Sequence, residues 1–108
     1  MEKDKKIKKI AWNNEAEGPF SEEALCEKIA HQGYQVSRYM YPPGTFFSDH
    51  THSSDKIDGV VSGEFFITLA GSAVTLQPGD ILHVPKGTVH SAKVIGDAPV
   101  VSLDGIKY

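Results

Sequence analysis

Residues Pro78 to Val94 read PGDILHVPKGTVHSAKV, one β-rich run held between two turn signals with a second run following it. Proline presets the backbone dihedral that opens a tight turn, and glycine adopts the left-handed conformation such turns often require. PGD and PKG therefore bracket ILHV as a short strand, and TVHSAKVI begins the next. The same grammar extends outward. YQVSRYMY ends at Pro42–Gly44, IDGVVSG and EFFITLAG are punctuated by glycine, and AVTLQ runs into Pro78. Downstream, TVHSAKVI and PVVSLDGI flank Gly96–Ala98. Short strands with glycine or proline at nearly every joint predict an all-β sandwich or small antiparallel barrel.

One segment departs from this pattern. In PFSEEALCEKIAHQGY, Ser21 is placed to cap a helix, and Glu22 and Glu23 suit the positive end of its dipole. Phe20 and Leu25 have the spacing of a hydrophobic staple. Leu25, Cys26, Ile29 and Ala30 form one apolar stripe, and Gly33 is positioned to end the helix. The expected layout is an N-terminal segment and single helix over residues 1–33, packed on a barrel over 34–108, together one domain. The helix is expected to shield an end or an edge strand of the barrel. Cys26 lies in the buried stripe and reads as a structural thiol, and His31 as a helix-end surface residue.

The 108 residues are 40% hydrophobic and 23% charged, the composition of an ordinary globular domain. No apolar run approaches the ~20 residues of a membrane span, and no apolar stretch follows the basic start MEKDKKIKKI as it would in a secretory signal. With one cysteine no internal disulfide can form, which suits a reducing compartment. A cytoplasmic location is the expectation. Five of the eleven basic residues fall within Lys3–Lys9; from Ile10 onward six basic and twelve acidic residues leave a net charge of −6. So acidic a body repels phosphate backbones, so neither nucleic acid nor membrane is an expected partner. The lysine run reads as a solvated tail or first edge strand.

His50 and His52, in HTHSSDKIDG, are spaced so that both rings face one side of a strand. Alone the pair is a weak metal signal. Two motifs strengthen it. Gly44, His50, His52, position 56 and Gly63 stand at the offsets G-x5-H-x-H-x3-E-x6-G. Gly79, Pro85, Gly87, His90 and position 94 stand at those of G-x5-P-x-G-x2-H-x3-N. With these gaps, residues 34–104 resemble the cupin family. The resemblance implies a small antiparallel β-barrel of jelly-roll type, with a divalent metal inside it held by His50, His52 and His90. It also implies a homodimer, to which an edge strand and the segment Ile7 to Trp12 could contribute. Trp12 either anchors that contact or packs on its own barrel.

The chain departs from the motifs at Lys56 and Val94. Val94 replaces a residue that is not a regular ligand. Lys56 replaces the glutamate that usually completes the metal site. An ammonium about 5 Å from a divalent cation is repelled by roughly 6–7 kcal/mol at an effective dielectric of about 20. Lys56 must turn away, lose its proton, or have a negative group beside it. Asp58 shares its strand parity and should also face inward. It is the expected additional metal ligand, the alternative being a partner for Lys56. Asp55, of opposite parity, reads as a turn residue. Lys56 is the candidate contact for substrate.

Three imidazoles suit Fe, Zn, Mn, Ni or Cu, and the sequence does not choose among them. No Ser-His-Asp arrangement, phosphate loop or dinucleotide fingerprint competes. The leading expectation is a metal-dependent enzyme acting on a small organic molecule, of dioxygenase, isomerase or lyase type. The alternative is a non-catalytic module that binds or senses such a molecule.

Overall fold

The computed structural model describes residues 8–108. Of the lysine run, Lys3, Lys5 and Lys6 lie outside the described residues, as does Ile7. In chain order the elements are β1 (Lys9–Ile10), α1 (Asn14–Glu17), α2 (Glu22–Ala30), β2 (Gln35–Tyr41), β3 (Phe46–His50), β4 (Asp55–Ser62), β5 (Glu64–Leu69), β6 (Ser72–Leu76), β7 (Ile81–Val84), β8 (His90–Ile95) and β9 (Val100–Lys107). The strands form two antiparallel sheets, ordered β1-β7-β4-β9-β2 and β3-β8-β5-β6. They pack face to face as a jelly roll, the fold expected from the strand pattern and the resemblance.

Between the sheets lies the larger core, with Val60, Phe65, Ile67, Leu76, Leu82, Val94 and Val100 among its buried members. Burying such side chains stabilises by about 1.5–3 kcal/mol each. A second core joins α2 to the outer face of the five-stranded sheet through Leu25, Ile29, Ile57, Ile81 and Leu103. The helix begins as its sequence dictates, Ser21 Oγ accepting from the Ala24 amide at 3.0 Å.

Two expectations fall short of the structure. The helix shields the outer face of the sheet over β4 and β9 as well as the edge strand β2, because Gly59 and Gly105 leave room for it on that face. A Cβ at Gly59 would stand 2.9 Å from Ile29 Cδ1, and one at Gly105 would stand 2.6 Å from Ile57 Cγ2 and 3.0 Å from Ile29 Cγ2. The edge of β7 is covered instead by β1, through Lys9↔Leu82 and Ile10↔Ile81. Among the described residues there are also two helices where one was expected. The additional α1 is a single turn capped by Asn13, whose side chain accepts from the Glu15 and Ala16 amides. Four residues are too few for an apolar stripe to announce them.

Trp12 packs on its own chain. Its ring meets Phe20 edge-on at 5.6 Å, Lys28 Nζ lies 5.0 Å from the ring centre, and Nε1 donates to Gly18 O at 2.8 Å.

Candidate metal centre

His50 ends β3 and His90 opens β8, and the two are direct register partners. A register shift between Phe47 and His50 rotates the end of β3, so the parity of its first residues does not carry through to His50. His52 lies beyond the strand, in the loop leading to β4. Two hydrogen bonds tie this loop to the turn before β8. Gly87 N donates to His52 O at 2.9 Å, and Lys86 N donates to Asp55 Oδ1 at 2.8 Å. The turn glycine and the aspartate that opens β4 thus bring His52 alongside His90.

The ring centroids lie 4.1 Å apart for His50 and His90, 4.8 Å for His50 and His52, and 5.0 Å for His52 and His90. Each ring offers one nitrogen, and these nitrogens lie within 4.8 Å of one another. Around a metal with bonds of about 2.1 Å, tetrahedral ligands stand about 3.4 Å apart. Closing on an ion therefore asks the most widely separated nitrogens to approach by about 1.4 Å, under an ångström for each ring.

The donor chemistry fits a metal. His50 Nδ1 donates to Ser48 O at 2.6 Å, and His90 Nδ1 donates to Thr88 O at 3.0 Å. A carbonyl only accepts, so Nδ1 carries the hydrogen in both rings and Nε2 keeps its lone pair. Burial, then Lys56 and the neighbouring rings, hold the His52 pKa down at about 4. Burial likewise lowers the His90 pKa, against an opposing effect of its bond to Thr88. Both rings are therefore neutral at pH 7 and able to ligate.

The three rings border a cavity of about 150 Å³ between the sheets, the volume of about five waters. Tyr41, Phe47, Phe65 and Ala92 give it an apolar side, and Lys56, Asp58 and Asp104 a charged one. Lys56 and Asp58 both reach it from β4, as their shared parity requires. Asp58 does not belong to the group of converging ligand atoms, which among the described residues is His50, His52 and His90. Nor does Lys56 pair with Asp58: its Nζ lies 3.8 Å from Asp104 Oδ2.

Asp104 was not anticipated. It faces Asp58 in the β4–β9 register, accepts from Ser102 Oγ at 2.6 Å, and receives a long 3.5 Å bond from the Tyr41 hydroxyl. Ser102 and Asp104 in PVVSLDGI are two polar residues of one parity in an otherwise apolar strand, and that was the available signal. Burial, and next the Asp104 charge, push the Asp58 pKa up to about 7, with Lys56 acting the other way. Burial also raises the Tyr41 pKa, and both aspartates add to the rise. His83 stands apart from the centre, its Nε2 3.2 Å from Gln32 Oε1.

A family model described as the cupin domain matches residues 37–105. The chain belongs to the cupin family. It is 35% identical over 65 residues to an acireductone dioxygenase from Picosynechococcus, a match covering 56% of this chain and 36% of that enzyme. Among solved structures, a cupin protein from Bacteroides fragilis superposes with a TM-score of 0.61 at 30% identity, over 69% of this chain and 65% of the other. The DMSP lyase DddQ of Ruegeria pomeroyi shares the fold, with a TM-score of 0.63 at 23% identity over 70% of this chain and 39% of that one. The chain spans well under half the length of the first curated relatives it matches. No helix among the described residues of this cupin is long and apolar enough to cross a membrane.

Proposed function

We propose that this cupin is a metal-dependent enzyme acting on a small organic molecule, its ion held by His50, His52 and His90. The observation that carries the reading is the convergence of three imidazole nitrogens, two of them with hydrogen-bonded Nδ1 atoms, beside a cavity. When bound, a divalent Fe, Zn, Mn, Ni or Cu ion supplies Lewis acidity and, where redox-active, one-electron chemistry. Three protein ligands leave positions open for a bidentate organic molecule. Lys56 turns its ammonium toward this cavity and serves to attract an acidic oxygen of the substrate, sharing its charge with Asp104. Tyr41, Phe47 and Phe65 exclude water from the apolar side. The cavity volume limits the enclosed part of the substrate to a few non-hydrogen atoms.

The relatives are consistent with this class of chemistry, since the acireductone dioxygenase and the DMSP lyase are both enzymes named for small substrates. A cytoplasmic homodimer completes the proposal. The single cysteine supports the compartment, and exposed Tyr39 and Met40 on the edge strand β2 support the second copy.

The test is elemental analysis of protein purified without chelators, for wild type and His52→Ala, followed by turnover assays on the metal-loaded protein. About one ion per chain in wild type, and loss of it in His52→Ala, is expected. A ligand that raises the melting temperature yet is never converted would favour the sensing module instead.

A further inference from the structure

Asp58 and Asp104 are register partners on β4 and β9, and both line the cavity. Facing residues on antiparallel strands have Cβ atoms about 4.5–5.5 Å apart, so the two carboxyl groups can meet. Their surroundings are unequal. Asp104 accepts from Ser102 Oγ and Tyr41 Oη and pairs with Lys56 Nζ. Asp58 is 9% exposed, and the influences on its carboxyl group are burial, the Asp104 charge and the Lys56 charge, with no hydrogen bond among them.

From β4 comes one ammonium, Lys56; from β9 the Asp104 carboxylate; from β2 the Tyr41 phenol. Across the cavity stand His50, His52 and His90, and β7 contributes only Leu82 opposite Asp58. One nearby cation thus serves two carboxyl groups, Asp58 buried and Asp104 partly buried. It pairs with Asp104, which also accepts from Ser102 and Tyr41. A second carboxylate at Asp58 would be buried, unpaired and beside a like charge, whereas a proton there removes both penalties.

We propose that Asp58 and Asp104 hold one proton between them, with Asp58 the protonated member and the proton donor to a small ligand that presents a carboxylate, carbonyl or enolate oxygen in the cavity. The upward shift of Asp58, caused first by burial and then by Asp104, is in accord with this. On transfer the Asp58 O–H bond breaks as an O–H bond forms on the ligand oxygen. The new carboxylate shares Lys56 with Asp104. With a carbonyl ligand, the pair is reset when it takes a proton from the carbon next to the carbonyl, the C–H electron pair forming C=C as C=O becomes C–OH, so the cycle moves hydrogen from carbon to oxygen with nothing oxidised or reduced. The pair suits keto–enol chemistry on an oxygenated small molecule. It rests on the two carboxyl groups alone and holds with or without an ion at the histidines.

The experiment follows side-chain carboxyl resonances of the full chain, labelled with ¹³C-aspartate and without added metal, as pH is varied. Asp58→Asn assigns the Asp58 signal. The Asp58 midpoint is expected more than two pH units above that of an ordinary aspartate, at least one unit lower in Asp104→Asn, and higher in Lys56→Met. An ordinary midpoint in wild type would overturn the pair, as would a midpoint unmoved by both neighbouring substitutions. If Asp104→Asn does not fold, the shift in Lys56→Met decides. With acetate as the probe, the Asp58 resonance should respond, and affinity should fall about tenfold per pH unit above the midpoint. No response, or affinity flat across it, would remove the donor role. Metal content is measured on the same wild-type sample, so a failure of the three-histidine reading would be seen separately.

Discussion

His50 and His90 stand opposite each other on β3 and β8 with their ring centroids 4.1 Å apart, so the hydrogen-bonded sheet itself holds two members of the triad together. Such a pair is rigid in a way that a loop residue is not. Substituting His90 by alanine should lower divalent-metal affinity by more than about a hundredfold, since even outer partners of a metal ligand are worth 10–100-fold. In wild type, added metal should raise the melting temperature through preferential binding to the folded chain. In His90→Ala that rise should be absent, which thermal unfolding with and without metal would establish.

His52 depends on its loop. Asp55 accepts from the Lys86 amide at 2.8 Å, and the His52 carbonyl from the Gly87 amide at 2.9 Å. Asp55→Ala removes the first tie and leaves the exposed Lys86 amide to water. A loss of about 0.5–1.5 kcal/mol in stability is expected, together with a several-fold weaker metal affinity as His52 gains freedom. Asp55→Asn, which keeps an acceptor oxygen, should recover most of both. Metal titration of the three proteins checks this, and equal affinities would show that the turn does not position His52.

Much of this arrangement was legible in the sequence, and the parts that were not share a physical origin. The motif offsets carried the three histidines because turns and strands of fixed length can be counted. Parity carried Lys56 and Asp58 to the cavity because β4 is regular there. The partner of Lys56 was out of reach. Asp104 lies 48 positions along the chain, and only the β4–β9 register brings it opposite Asp58. Parity within one strand says which face a residue takes and nothing about which strand lies next to it. The placement of α2 was hidden for a related reason. Nothing next to Gly59 or Gly105 in the sequence says that a helix occupies the space they leave.

The space beside Gly105 is already filled. A methyl group at Gly105 would stand 2.6 Å from Ile57 Cγ2, 2.8 Å from Tyr34 Cβ and 3.0 Å from Ile29 Cγ2. Three contacts this short cannot all relax without shifting α2 off the sheet. Gly105→Ala should therefore cost about 2–3 kcal/mol, measured by urea unfolding. The triad lies on the other side of the sheet, so metal stoichiometry of the folded fraction should be unchanged.

Asp58 sets the pH dependence of stability. Its pKa in the folded protein is raised, to about 7 from an ordinary value of 3.8. A carboxyl group with a raised folded value favours folding most when protonated. Its contribution is fully present below pH 3.8 and is lost as pH rises through about 7. At pH 8 the folded chain carries a buried charge that the unfolded chain holds in water, a penalty on the order of 2–4 kcal/mol. Asp58→Asn keeps the shape of the neutral acid and cannot ionise. It should be more stable than wild type at pH 8, with the advantage shrinking steadily toward pH 4, where the two should unfold at similar urea concentrations. The opposite trend, with Asp58→Asn losing ground as pH rises, would mean that the Asp58 carboxylate is stabilised by a cation in the fold, and Lys56 would then have to serve Asp58 in preference to Asp104.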